Sequence, residues 1–476
     1  MDDAKAFDFK GNITNALDDR QLRRNLRKAM DILVEKRRAV FPDQAYLQTL
    51  RTAGNAIKRR ALKQLPQLLE QLEANCTRNG IQVHWAEDTA QANGIVLDIL
   101  HRHDTREVVK GKSMVSEEMH LNHFLQAQGI DAVETDLGEF IIQLNQETPS
   151  HIIVPAIHKN RDEVAAIFHE KIADTPYTED VEELTAIARR TLRRHFARAR
   201  VGLSGVNFAI AETGTLLLVE NEGNGRMCTT LPEVHIAVMG LEKVVAKLSD
   251  VPPLLRLLTG SATGQLISTY VNMISSPRRP GELDGPREVH LIILDNGRSR
   301  ILADPQLRQT LLCIRCGTCL NHCPVYVRIG GHAYGHVYPG PIGKILTPQM
   351  EGLDQAGELV TASSLCGACG EVCPVQIPIP DLIRRLRKES CHGKQKGAVA
   401  GGGYQKDLAE TLVWKGWELA NRIPQIHETG TRMAGALGQH LPKIGPLKQW
   451  TSVRTAPRLA RSTLHACVRN QGVRHE

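Results

Sequence analysis

CIRCGTCLNHCP, residues 313–324, and CGACGEVCP, residues 366–374, are the two stretches whose spacing decides how this chain folds around its cysteines. In the first, Cys313, Cys316, Cys319 and Cys323 follow C-x2-C-x2-C-x3-C-P, the spacing in which three close thiolates hold one iron-sulfur cubane and the fourth ligates another. Cysteines three apart in a tight turn reach different irons of one cube, whereas Cys323, displaced beyond the turn and followed by Pro324, points elsewhere. Crossed ligation is therefore expected: Cys313, Cys316, Cys319 and the distant Cys373 for cluster 1, and Cys323, Cys366 and Cys369 for cluster 2. Zinc also favours C-x2-C pairs, but tetrahedral zinc explains neither the x2, x2, x3 progression nor the two Cys-Pro endings. A disulfide framework explains them less well still.

The second run is one thiolate short. Counted by the spacing of the first, the place of Cys313 is taken by Ser363. Three outcomes are open: a [4Fe-4S] cluster with one iron open or held by oxygen, a [3Fe-4S] cluster, or a cubane completed from elsewhere. Cys391 is the nearest spare, but it follows the charged run Arg384, Arg385, Arg387, Lys388 and Glu389, which reads as a solvated helix face. Cys76, Cys228 and Cys467 are isolated and read as packing residues.

The chain has 476 residues, which predicts two or three domains with ample material for a core. Its start is polar and no apolar run approaches a membrane span, so no leader and no transmembrane segment are expected, and a reducing cytoplasm suits free thiols. The net charge of +7 raises the question of nucleic acid. Much of the basic charge between Arg20 and Arg38 alternates with Leu22, Leu26, Met30, Leu33 and Val34 at helical spacing, which makes it the solvated face of a helix. With 4% aromatics and no recognition motif, no nucleic-acid partner is expected.

Residues 1–64 read as a helical segment broken near Pro42. Residues 65–298 alternate short apolar strands with helices, the pattern of an α/β domain with a mostly parallel sheet. Strands are expected at 82–85, 132–134, 151–154, 208–211, 215–219, 235–239 and 289–294. Helices are expected at 89–102, 116–128, 138–146, 161–168, 181–199, 241–248 and 253–258. Residues 299–392 carry both cysteine runs between helical flanks, an α-helical ferredoxin-like domain. Glycines at 397 and 401–403 form a hinge into a basic C-terminal region, 393–476, where Leu408, Leu412, Trp414, Trp417 and Leu419 make an apolar surface for the protein's own core or for a docking partner.

In the α/β part, polar residues gather where strands meet helices, and open α/β sheets bind ligands beyond their carboxyl strand ends. Lys112, Glu134 and Asp136, Glu212 in a tight strand connection, and Arg226 in the glycine-rich NEGNGR segment are the candidates for a substrate site. Caps and hairpin turns use the same residue types. No dinucleotide fingerprint, phosphate loop or nucleophile elbow occurs.

KGKSMVSEEMHLN (110–122), ETDLGEFIIQL (134–144), PSHIIVPAIHKNR (149–161), AIAETGTLLLVENEGNGR (209–226) and the two cysteine runs resemble the lactate utilization protein B family, the iron-sulfur subunit of bacterial L-lactate utilisation, across nearly the whole chain. The resemblance implies a lactate-utilisation (LUD) domain related in fold to sugar-phosphate isomerases and CoA transferases, then an α-helical ferredoxin and a family-specific C-terminal region. It implies work beside two other subunits in oxidising L-lactate to pyruvate, with the family's cluster ligands falling on the same seven cysteines. The five candidate substrate residues come from the reading of this sequence alone. Two alternatives stand beside an electron-carrying role: a lactate-binding catalytic subunit using an incompletely ligated cluster, and a redox-sensing interaction module. The electron acceptor is not written in the sequence.

Overall fold

The computed structural model describes residues 8–392, 408–437, 460 and 462–472. Two compact units divide at residue 404.

Ten strands run through the described residues of the first unit: β1 Gln82–Ala86, β2 Glu107–Lys110, β3 Asp131–Glu134, β4 Val201–Gly205, β5 Phe208–Ile210, β6 Thr215–Glu220, β7 Val234–Gly240, β8 Val244–Val245, β9 Tyr270–Ile274 and β10 Glu288–Leu294. Six form a parallel sheet in the order β1-β10-β7-β4-β2-β3. The central β7, VHIAVMG, is buried along its whole length, as a strand covered by helices on both faces must be. A smaller sheet, β8-β5-β6-β9, lies beside it. The strands expected at 82–85, 132–134, 208–211, 215–219, 235–239 and 289–294 match elements of these sheets within two residues.

Three expectations are corrected. Residues 151–154 form no strand: His151 Nδ1 accepts from the backbone N–H of Ile153 at 3.0 Å and Val154 at 3.1 Å, closing a turn that a ladder would forbid. Residues 241–248 form no helix, because the β-branched pair Val244 and Val245 joins β5 in the second sheet, between short 3-10 turns. The helix expected at 116–128 breaks at His120, whose φ of 49° is left-handed, into Met114–Glu118 and Leu121–Ala127. The strand β4 escapes the sequence pattern because Gly202 dilutes it. A Cβ there would come within 2.0 Å of the Cys228 carbonyl oxygen, so close helix packing demands the glycine.

The N-terminal helices Arg20–Val40 and Gln44–Lys63 serve the cysteine segment. Their Leu26 and Met30 are buried, while Arg37, Arg51 and Asn55 donate to the carbonyls of Val372 (3.2 Å), Cys373 (3.0 Å) and Val375 (2.7 Å). The end of the second cysteine run is thereby bound to a different part of the chain.

In the second unit, the helices Leu408–Arg422, Pro424–Leu437 and Leu464–Gln471 are described. Leu408, Leu412, Trp414, Trp417 and Leu419 are all exposed, and the two tryptophan rings meet edge to face at 5.9 Å. The glycines at 397 and 401–403 and the side chain of Cys391 lie outside the described residues. No described helix is long and apolar enough to cross a membrane.

Candidate metal centre

The two cysteine runs share one backbone design. In the first, Arg315 (φ 60°) and Gly317 (φ 71°) bracket Cys316, a short helix Thr318–Asn321 carries Cys319, and Cys323 ends it. In the second, Leu365 (φ 55°) and Gly367 (φ 88°) bracket Cys366, the helix Ala368–Val372 carries Cys369, and Cys373 ends it. A left-handed Arg and Leu at matching positions cost backbone energy, and both turns bend to aim neighbouring thiols inward.

Each turn closes on its first residue. Arg315 N–H donates to Cys313 Sγ at 3.4 Å, and Leu365 N–H donates to Ser363 Oγ at 3.2 Å. The Ser363 hydroxyl thus takes the hydrogen-bonding place of a thiol.

Thiols of the two runs lie within electrostatic reach of one another. Cys316 faces Cys313 and Cys373, and Cys319 faces Cys316, Cys313 and Cys373, with Cys369 its weakest thiol neighbour. Cys369 instead faces Cys323 and Cys366. All seven are free thiols; Cys316, Cys319, Cys323 and Cys373 are buried, Cys313 and Cys369 half-buried, and Cys366 exposed. Burial pushes Cys369 and Cys373 up to about 11 and Cys316 and Cys319 higher, with neighbouring thiols adding to it. Buried thiols packed on one another are ill suited to remain thiolates without a cation, which an iron-sulfur cluster supplies. Backbone N–H groups of Tyr326 and Ile377 donate to Cys323 Sγ (3.5 Å) and Cys373 Sγ (3.3 Å), and Lys344 Nζ to Cys323 Sγ (3.6 Å). Such donors stabilise sulfur-borne negative charge, so the donor set fits a thiolate-ligated cluster.

Around the first run the surroundings are cationic. Glu242, buried and held at about 2 by Arg298 and Arg315 despite its burial, accepts from Arg298 Nε at 2.6 Å and Arg315 Nη2 at 2.9 Å. Its backbone carbonyl accepts from Lys58 Nζ at 2.5 Å. Arg298 also pairs with Glu118 at 2.8 Å, which Tyr338 Oη joins. His151, lowered to about 4 by burial, presents Nε2 to Asn321 Oδ1 at 3.0 Å and so ties the α/β domain to the helix bearing Cys319.

The five candidate substrate residues do not converge. Lys112 and Asp136 line a common cavity, where Asp136 also caps the helix Leu137–Leu144. Glu134 is buried against Lys110 and accepts from Asn122 at 2.7 Å, so it neutralises a strand-end lysine and faces a different cavity. Glu212 is exposed in the β5–β6 turn and accepts from Leu248 N–H. Arg226 is exposed on the helix Asn224–Thr230, which replaces the expected loop. Lys243 and Arg315, which also line the cavity of Lys112, were not singled out in the sequence. Arg315 stood between two cysteines, which was the available signal.

Three family models match the chain: the LUD domain over residues 69–294, the 4Fe-4S dicluster domain over 309–377, and the lactate utilisation protein B C-terminal model over 385–473. Lactate utilization protein B of Bacillus licheniformis is 39% identical over 457 residues, covering 94% of each chain. The chain belongs to the lactate utilization protein B family. The Bacillus subtilis member is 38% identical over 457 residues, 94% of this chain and 93% of its own. The uncharacterized electron transport protein YkgF of Escherichia coli is 40% identical over 459 residues, 94% of each. An iron-sulfur domain of the 4Fe-4S dicluster type, following an α/β domain with a parallel sheet, is thus established for this chain.

Proposed function

We propose that this chain is the electron-carrying subunit of a multi-component cytoplasmic system that oxidises L-lactate to pyruvate, working beside two other subunits and passing electrons to an acceptor outside the chain. What supports this reading is the electrostatic closeness of Cys316 and Cys319 to Cys313 and to the distant Cys373, and of Cys369 to Cys323 and Cys366, as crossed ligation would require. Cys313, Cys316, Cys319 and Cys373 would hold cluster 1, and Cys323, Cys366 and Cys369 cluster 2, whose fourth place is open, held by an oxygen such as Ser363 Oγ, completed by another cysteine, or empty in a [3Fe-4S] cluster. Lactate oxidation to pyruvate releases two electrons and two protons, and two one-electron carriers side by side accept the pair. The residues of this chain keep four of the thiols from water, donate N–H groups to sulfur, and set Lys58, Lys243 and Arg315 near Cys313.

In this reading the chain divides into a helical segment 1–64, an α/β domain 65–298 of the sugar-phosphate isomerase and CoA-transferase type, a ferredoxin-like domain 299–392 and a C-terminal docking region 393–476. The catalytic alternative puts chemistry at the open position of cluster 2. It is disfavoured because the cavity of Lys112 and Asp136 abuts Arg315 in the first run and touches no residue of the second.

Iron and sulfide analysis of anaerobically purified protein is the first test: roughly seven to eight irons with matching sulfide are expected from two sites of this kind. A Cys316→Ala or Cys369→Ala copy should accumulate yet fail to restore growth on L-lactate to a deletion strain. Normal lactate oxidation by a cluster-free variant would refute the electron-transfer role, and zinc without sulfide would refute the clusters.

A further inference from the structure

The parallel sheet reverses its winding between β2 and β4. From β2 the chain moves outward to β3 at one edge, whereas from β4 it moves the opposite way to β7 and then β10. Connections that diverge at such a switch point leave a crevice beyond the carboxyl ends of the strands, and ligands of open α/β sheets bind there. A cavity of about 480 Å³ fills that crevice. Its wall includes Lys112 after β2, Asp136 after β3, Lys243 after β7, and Arg315 and Tyr338 from the cysteine domain.

The charges at its inner end are unbalanced. Lys243 is only 9% exposed, and no hydrogen bond or ion pair engages its ammonium among the described residues. Arg315 is 6% exposed, places its guanidinium 4.9 Å from the Tyr338 ring centroid and gives Nη2 to Glu242, while its Nη1 is buried with no hydrogen-bond partner among the described residues. Glu242 is already shared with Arg298. Lys112 directs its ammonium to the neutral carbonyl of Ile153 at 2.6 Å. The nearby Glu220 cannot serve them, since it accepts from the N–H groups of Gly225 and Arg226 and from Asn272. Buried cationic donors without acceptors are costly, and a bound anion relieves that cost. Cys313 lies beside both cations, so a cluster held there would offset part of the excess from the cysteine side.

At the outer end the sign reverses. Glu222 is exposed and faces Asp136 and Lys112. Two carboxyl groups at the mouth would oppose a ligand carrying a second negative charge.

We propose that this cavity binds a small 2-hydroxy or 2-oxo monocarboxylate, with its carboxylate between Lys243 and Arg315 and its second oxygen toward Lys112, on the side of the cysteine domain that carries Cys313. The choice of acid rests on the electron-transfer reading above; the anion site rests on the unpaired cations alone.

Cluster-loaded, full-length protein titrated anaerobically with pyruvate, L-lactate and succinate, followed by calorimetry and by the EPR signals of the clusters, tests it. Saturable binding of pyruvate or L-lactate is expected, with succinate weaker. Lys243→Met should weaken binding by about tenfold or more, the loss of one charge-assisted contact, and Lys243→Arg should recover most of it. Lys112→Gln, at the half-buried wall, should weaken it less and provides the test should Lys243→Met fail to fold. Absence of saturable binding of both acids, succinate bound as tightly as they are, or unchanged affinity in both variants would overturn the site. A chain that fails the titration but restores growth on L-lactate would remove the cavity assignment and leave the electron-transfer reading standing.

Discussion

The first and second cysteine runs fold alike and are housed differently. Both place a left-handed residue before and a glycine after their second position, and both end in Cys-Pro after a short helix. Yet the thiols divide differently by burial: Cys316, Cys319 and Cys373 are buried and Cys313 half-buried, with Lys58, Arg298 and Arg315 about Glu242 nearby, whereas beside the buried Cys323 and its neighbour Lys344 stand the half-buried Cys369 and the exposed Cys366. Spacing aims the thiols; the surroundings decide what each site is good for. A buried site and one open at Cys366 should differ in potential, because cluster potentials respond to nearby charge, hydrogen bonds and solvent exposure.

Thiol substitutions give the largest expected effect and break the comparison most directly. Cys373→Ala should abolish the EPR signal of the first site and spare that of the second, although its sequence neighbours are Cys366 and Cys369. Cys366→Ala should do the reverse. Should Cys366 and Cys373 substitutions remove the same signal, the exchange of ligands between runs is wrong.

Glu242→Gln comes next. Removing the one carboxylate shared by Arg298 and Arg315 leaves buried positive charge unpaired, which costs about 3–5 kcal/mol. Chemical denaturation should show that loss, with the first site's signal bleaching before the second's. A variant as stable as wild type would mean that the cations are balanced from elsewhere.

A smaller effect follows pH through His151. Its ring is held neutral, with a pKa lowered from 6.5 to about 4 by burial, because Nδ1 must accept from Ile153 and Val154. The unfolded chain takes up a proton near pH 6.5 and the folded chain only near 4, so stability falls as pH drops across that window, by on the order of 1 kcal/mol per pH unit between 6 and 5. The denaturation midpoint measured over that range should be less pH-dependent in His151→Gln than in wild type. An identical slope in the variant would assign the acid sensitivity to other buried histidines such as His235, lowered to about 3 by burial and then His290.

The fold was legible where a pattern is local. The strand β7 and its partner β10 are continuous apolar runs, and the cysteine spacing carries its own geometry. What stayed hidden depends on distant partners. His151–Val154 has the composition of a strand, but its ring nitrogen closes a turn; Val244 and Val245 sit in a helical pattern, but a second sheet recruits them. The cavity shows the same limit. Lys112 and Asp136 were visible at strand ends, but Lys243 and Arg315 belong to the site only because the cysteine domain packs against the sheet's carboxyl edge. Glu134 and Arg226 looked equally eligible, and only packing shows that one neutralises Lys110 and the other faces solvent.

The smallest expected change in stability, and the one that sharpens the comparison furthest, lies at Ser363. Its hydroxyl accepts from Leu365 N–H as the Cys313 sulfur does from Arg315 N–H, so the backbone is already shaped for a ligand there. Ser363→Cys should therefore fold normally, within about 0.5–1 kcal/mol of wild type as a near-isosteric change at a half-buried site. Its effect should appear in the second site alone: under mild oxidation the wild-type site should develop the EPR signal of a three-iron species, since an iron without a thiolate is the most easily lost, and the variant should resist it. Ser363→Ala should lose that iron faster than wild type if the oxygen is a ligand. Equal rates in all three proteins would show that position 363 does not ligate and that the fourth place is filled by another residue, with Cys391→Ala the variant to make next.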